Sequence, residues 1–111
     1  MKLSKSARWW LQNLSAQSIG IRAGRLIYQR GVNYYWLGKT SSLQWVDGQL
    51  QARVQGSDLY LVRFWRKGKD LIACCNCPFA IEGAFCKHQV AAALAAFDAI
   101  SENGIPEQET G

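Results

Sequence analysis

Long apolar runs are missing from this chain, and no stretch approaches the ~18 consecutive apolar residues that a membrane span requires. The opening Met-Lys-Leu-Ser-Lys-Ser leads only to Trp9-Trp10-Leu11, too short for the core of a secretory signal. A cytoplasmic location with no membrane contact is therefore expected. Acidic residues are scarce in the first part of the chain. Asp47 and Asp58 stand alone against 12 Lys/Arg across residues 1–69, a net +10. Residues 70–111 reverse the balance, with Lys87 against Asp70, Glu82, Asp98, Glu102, Glu107 and Glu109, a net −5. A basic front with an acidic end calls for an anionic partner, nucleic acid first among the candidates. A solvated basic domain with an acidic tail carries the same pattern, so charge alone leaves both readings open.

Cysteine is absent outside positions 74–86. Disulfide frameworks spread their cysteines to close loops across a fold, so a cluster this tight reads instead as a metal site. What the chain does have is an ordinary globular balance, 49% hydrophobic and 19% charged over 111 residues. That balance excludes a wholly disordered protein and allows one domain with a thin core.

The periodicity changes along the chain. Residues 4–16 read as a helix, capped by Ser4 or Ser6, with Ala7, Trp10, Leu11 and Leu14 at three- and four-residue spacing. A second helix is expected near 21–30, stopped by Gly31. Leu50, Ala52 and Val54 then alternate with Gln49, Gln51, Arg53 and Gln55, the pattern of a half-buried strand. Turn signals at Asp47-Gly48, Gly56-Ser57 and Lys67-Gly68 predict an antiparallel meander, with strands near 34–46 (interrupted), 49–55, 58–66 and 69–75. A final helix from about 87 to 100 places Val90, Leu94, Phe97 and Ser101 on one stripe and ends at Asn103-Gly104 and Pro106. The expected fold class is α+β: N-terminal helices, the meander, then a metal-closed turn and a C-terminal helix. One domain would span 1–104, with the metal-binding segment at 71–100 and an acidic, flexible tail at 105–111.

Chemistry concentrates in Cys74-Cys75-Asn76-Cys77-Pro78 and, after a loop, Cys86-Lys87-His88. Cys-x-Cys followed, after eight intervening residues, by Cys-x-His supplies four soft ligands in two close pairs, the requirement of a tetrahedral structural zinc ion. Cys75 and Cys77, two apart at a strand end, point the same way. Cys86 and His88 converge if Cys86 lies in the turn before the last helix and His88 in its first residues, because two helical residues are about 200° apart. Pro78 stops strand pairing, and Gly83 lets the loop return. Cys74 belongs to the other strand face and reads as a small buried hydrophobe rather than a ligand. Buried thiols beside an incidental histidine are the alternative, but His88 is the one histidine of the chain and falls at the required spacing. Four protein ligands leave zinc no open position for water, so an enzyme is not expected.

These residues resemble the SWIM zinc-finger family, marked by Cys-x-Cys-x(n)-Cys-x-His. Cys75, Cys77, Cys86 and His88 match the four ligand positions, and Cys77-Pro78 with Cys86-Lys87-His88 is similar to the bacterial form. Arg30-Gly31, Tyr34-Tyr35, Gly38, Leu50 to Ser57 and Tyr60-Leu61-Val62 resemble the segment preceding the finger in bacterial members, so the likeness covers roughly 28–97. The resemblance implies one structural Zn2+ per chain, binding to DNA or to proteins, and in bacteria the company of a helicase-like ATPase.

Basic and aromatic residues interleave at one hairpin, where Arg63, Arg66, Lys67 and Lys69 flank Phe64 and Trp65. Cations beside aromatics suit single-stranded nucleic acid, DNA or RNA, although the same aromatics also fill cores. Lys87, beside the metal ligands, is placed to meet a phosphate or to offset thiolate charge, and Arg22 and Arg25 are further candidates. Glu82 reads as solvated. The expected function is a zinc-binding module for nucleic acid, DNA favoured; the alternative is a protein–protein adaptor with a structural zinc site.

Overall fold

The computed structural model describes residues 4–80, 84–102 and 104–105. Gly83 and Glu82, to which the sequence assigns a loop, lie outside the described residues, as do Asn103 and all of the acidic tail except Ile105. The described residues form three helices, four strands and a last helix: α1 (Lys5–Leu14), α2 (Ala16–Ala23), α3 (Arg25–Trp36), β1 (Thr40–Val46), β2 (Gln49–Gln55), β3 (Leu59–Lys67), β4 (Asp70–Cys75) and α4 (Lys87–Glu102). The α+β architecture is as expected from the sequence.

The sheet is a simple antiparallel meander in the order β1-β2-β3-β4. Asp47-Gly48 joins β1 to β2 with φ of 50° and 79°, the two left-handed residues of a type I′ turn. Side chains alternate strictly on the two central strands. Leu50, Ala52 and Val54 of β2 and Tyr60, Val62 and Phe64 of β3 are buried on one face. On the opposite face, Arg53, Leu61, Arg63, Trp65, Ile72 and Cys74 are exposed or half-buried, and no described element covers them.

All helices lie on the buried side. Helix α4 sits between the sheet and α3, so it is apolar nearly all round rather than along one stripe. Val90, Ala91, Ala92, Ala93 and Ala96 are buried, whereas Leu94 and Phe97 are half-buried and Ser101 is exposed. The alanines are what permit two layers to approach α4 closely. Helix α1 begins at Ser4, whose hydroxyl accepts from the Ala7 amide at 3.0 Å, and docks through Trp10 edge-on against Trp45 of β1 at 5.0 Å.

Two expectations are corrected. Gly31 does not stop a helix; Gly24, at φ 80°, breaks the segment into α2 and α3. Gly31 lies inside α3 where it crosses α4, and a Cβ there would fall 2.2 Å from Val90 Cβ. The glycine serves close helix packing, not termination. Tyr34, Tyr35 and Trp36 do not open a strand but extend α3, tied to α4 by a hydrogen bond from the Tyr35 hydroxyl to the Asp98 carboxylate. Tertiary contact there overrides the strand preference of aromatic residues.

Candidate metal centre and basic surfaces

β4 ends at Cys75, paired with Val62. Asn76 then prolongs the contact with β3: its amide donates to the Leu61 carbonyl at 3.2 Å and its side-chain oxygen accepts from the Leu61 amide at 2.8 Å. With Pro78 unable to continue the ladder, Cys77 turns inward and the Ala80 amide donates to its Sγ at 3.4 Å.

The second pair comes from the start of α4. Cys86 occupies the N-cap position, its carbonyl accepting from Val90 at 3.2 Å. Three residues on, Gln89 is buried and its Oε1 accepts from the Cys86 amide at 2.7 Å. In the reverse direction the Gln89 amide stabilises the Cys86 sulfur. This is the reciprocal arrangement of a capping box, with a cysteine sulfur in place of the usual hydroxyl. His88, in the first turn, then swings Nδ1 to 3.8 Å from Cys86 Sγ and 4.0 Å from Cys75 Sγ.

All four ligand atoms lie within 4.8 Å of one another. Zinc bound tetrahedrally at ~2.3 Å to sulfur and ~2.0 Å to nitrogen needs ligand atoms about 3.5–3.8 Å apart, so small adjustments close the shell. Cys75, Cys77, Cys86 and His88 are 6%, 2%, 1% and 5% exposed, which marks an enclosed structural site rather than one open to substrate. The residues fit one zinc ion. Cys86 is held down to about 4, first by the hydrogen bond from Cys75 and then by His88, the Gln89 amide and Cys77, against the opposing effect of burial. The same hydrogen bond, followed by burial, pushes the Cys75 thiol up.

Aromatic rings fix the imidazole. Tyr60 lies at 4.6 Å with its plane tilted 39°, and Tyr34 meets it edge-on at 5.6 Å. Gly56 backs the ring, and a Cβ there would fall 2.8 Å from His88 Nε2. The sequence marks Gly56 only as a turn, and Gln89 not at all. A glutamine three residues after a cap position was the available signal.

Cys74 stays outside the cluster. It is half-buried on the uncovered sheet face opposite Arg63, not sealed in a core as expected. The basic residues divide. Arg63 and Lys67 lie on the uncovered face, Arg63 with its guanidinium 5.8 Å from the Trp65 ring. Arg53 of β2 joins them, a residue that strict alternation places beside Arg63 and that hairpin grouping misses. Arg66 points to the helix side, 4.6 Å over Trp9, and its Nε donates to the Gly68 carbonyl at 2.7 Å. Lys69 and Arg22 line one hollow, and Arg22 also donates to the Leu71 carbonyl at 2.7 Å while stacking 5.0 Å over Phe85. Arg25 is exposed at the start of α3. Lys87 stands at the metal end, 5.0 Å over Tyr34.

Among the described residues no helix is long and apolar enough to cross a membrane. Compared with known protein families, residues 58–97 match the SWIM zinc finger. Neither the curated proteins nor the solved structures give a match. The match begins at β3 and ends within α4, so it contains all four ligands and the turn that brings them together.

Proposed function

Residues 58–97 being a SWIM zinc finger, we propose that this zinc-binding module binds single-stranded nucleic acid, DNA in the first instance, on the uncovered face of its sheet. The observation that carries the reading is the pairing of Arg63 with Trp65 on that face, flanked by Arg53 and Lys67. A flat, half-exposed tryptophan offers a stacking platform for a base, and the surrounding cations neutralise phosphates. Gln44, Gln49, Gln51 and Gln55 surround them with uncharged donors and acceptors, and Asp70 is the one carboxylate on these strands' outer side. Zinc, when bound, would hold the end of β4 to the start of α4, and so fix the edge of this surface. The proposed role is binding rather than catalysis, because the four ligands complete the metal's shell.

A salt series with an oligodeoxythymidine and a duplex of the same length tests this. Binding to the single strand is expected to fall log-linearly with salt, by about 0.7 in log affinity per decade for each phosphate contact. A chain that binds neither at physiological salt, yet retains a protein partner after nuclease treatment, is an adaptor instead.

A further inference from the structure

A cleft of about 350 Å³ opens beside the metal centre, at the opposite end of β3 from the Lys67 turn. Tyr34, Ser57, Tyr60, Phe79, Lys87 and His88 line it, and among the described residues no carboxylate does. Its polar groups are donors. The Lys87 ammonium stands at the rim over Tyr34. The Ser57 and Tyr60 hydroxyls bond each other at 2.7 Å, which uses one of their two hydrogens and leaves the other to give.

His88 lies on the wall of the cleft. With Nδ1 turned toward the sulfurs, a ring bound to zinc through Nδ1 would carry its proton on Nε2. A metal-bound histidine ordinarily donates that proton to a carboxylate, a carbonyl or water. Here the side chain is 5% exposed and lines the cleft, and among the described residues Nε2 meets no acceptor. Its Nε2 edge stands against the Gly56 backbone, where a Cβ would fall 2.8 Å from it. Across from these donors, Phe79 leaves 53% of its surface exposed, directly after the ligand Cys77 and Pro78. An exposed ring in a short loop does little for the core and much for a planar ligand.

We propose that this cleft binds a nucleoside phosphate, its phosphate held by Lys87 and the Ser57–Tyr60 hydroxyl pair and its base stacked on Phe79. The choice of a nucleotide over another anion rests on the nucleic-acid reading above. The source is either a nucleotide within a bound strand or a free nucleotide, and the chemistry is the same.

The test is an NMR titration of the zinc-loaded protein with thymidine 5′-monophosphate, and separately with thymidine and with inorganic phosphate. The monophosphate is expected to give saturable shifts at residues 56–60, 77–80 and 87–88 and to bind more tightly than either fragment. Lys87→Gln removes a charge-assisted hydrogen bond and is expected to weaken it about tenfold. Phe79→Ala removes the stacking ring with a loss of about tenfold. Zinc content should stay unchanged in both, since neither side chain is a ligand. No saturable shift at those residues, or the same affinity in both variants as in the parent, overturns the proposal. Oligodeoxythymidine affinity separates the sources: it falls in Phe79→Ala if the cleft takes part of a strand, and holds if it takes a free nucleotide. A protein that binds the oligonucleotide but shows no monophosphate shifts loses the cleft and keeps the nucleic-acid reading. One that shows the shifts but binds no oligonucleotide keeps the cleft alone.

Discussion

The Nε2 edge of His88 stands against the backbone of Gly56, where a Cβ would fall 2.8 Å from the ring nitrogen and 3.0 Å from Tyr60 Cε2. The β2–β3 turn thus sets the position of a ligand more than thirty residues later in the chain. The ring cannot retreat, because Tyr60 and Tyr34 hold its faces and its Nδ1 faces the sulfurs. Gly56→Ala is expected to displace the imidazole and lower zinc affinity by roughly 10–100-fold, the range for disturbing a metal ligand's support. Competition with a chromophoric chelator measures it; an unchanged affinity shows that the turn yields instead.

Protonation of the ligands gives a second expectation. Cys86 is a thiolate down to about pH 4, whereas Cys75 is pushed up and keeps its proton at neutral pH. Zinc uptake must displace that proton, so affinity rises with pH, about tenfold per unit for each proton released. Acidification works in the opposite direction and favours release. Calorimetry of zinc uptake near pH 7, in buffers of different ionisation enthalpy, should show at least one proton released per ion. No buffer dependence contradicts the assignment.

Gln89 connects the helix cap to the metal. Gln89→Ala strands the buried Cys86 amide that now donates to Oε1 at 2.7 Å. A loss of about 1–3 kcal/mol in urea unfolding is expected for an unsatisfied buried donor. Gln89→Glu keeps an acceptor there and should lose less.

On the proposed binding face, Arg53, Arg63 and Lys67 act together while Arg66 does not. Replacing the three with Ala should flatten the salt dependence of single-strand binding by about two units, at ~0.7 per contact. Trp65→Ala should cost about 1–3 kcal/mol of affinity with the slope preserved. Arg66→Ala removes the cation over Trp9 and should act on stability, leaving the slope unchanged. A slope that follows Arg66 rather than the three would place the contact on the helix side.

The meander and the ligands are legible in the sequence because both rest on short-range rules. Alternation of Leu50, Ala52 and Val54 with polar neighbours fixes a face, and Asp47-Gly48 fixes a turn. The two ligand pairs carry their geometry in spacing alone. What is not legible depends on elements far apart in sequence. Gly31 looks like a helix stop until α4 brings Val90 against it, and Tyr34 to Trp36 read as a strand until Asp98 is there to receive the Tyr35 hydroxyl. Arg66 groups with Arg63 by proximity, although the period of two already assigns them to opposite faces. Gly56 shows the same limit, since nothing near it in the chain announces His88.

A native mass spectrum of protein purified without chelator tests the central claim most directly. The account predicts one zinc ion per chain in the parent and in Cys74→Ser, whose sulfur lies outside the cluster, and none held in Cys86→Ser. A metal-free parent, or loss of zinc from Cys74→Ser as complete as from Cys86→Ser, would contradict it.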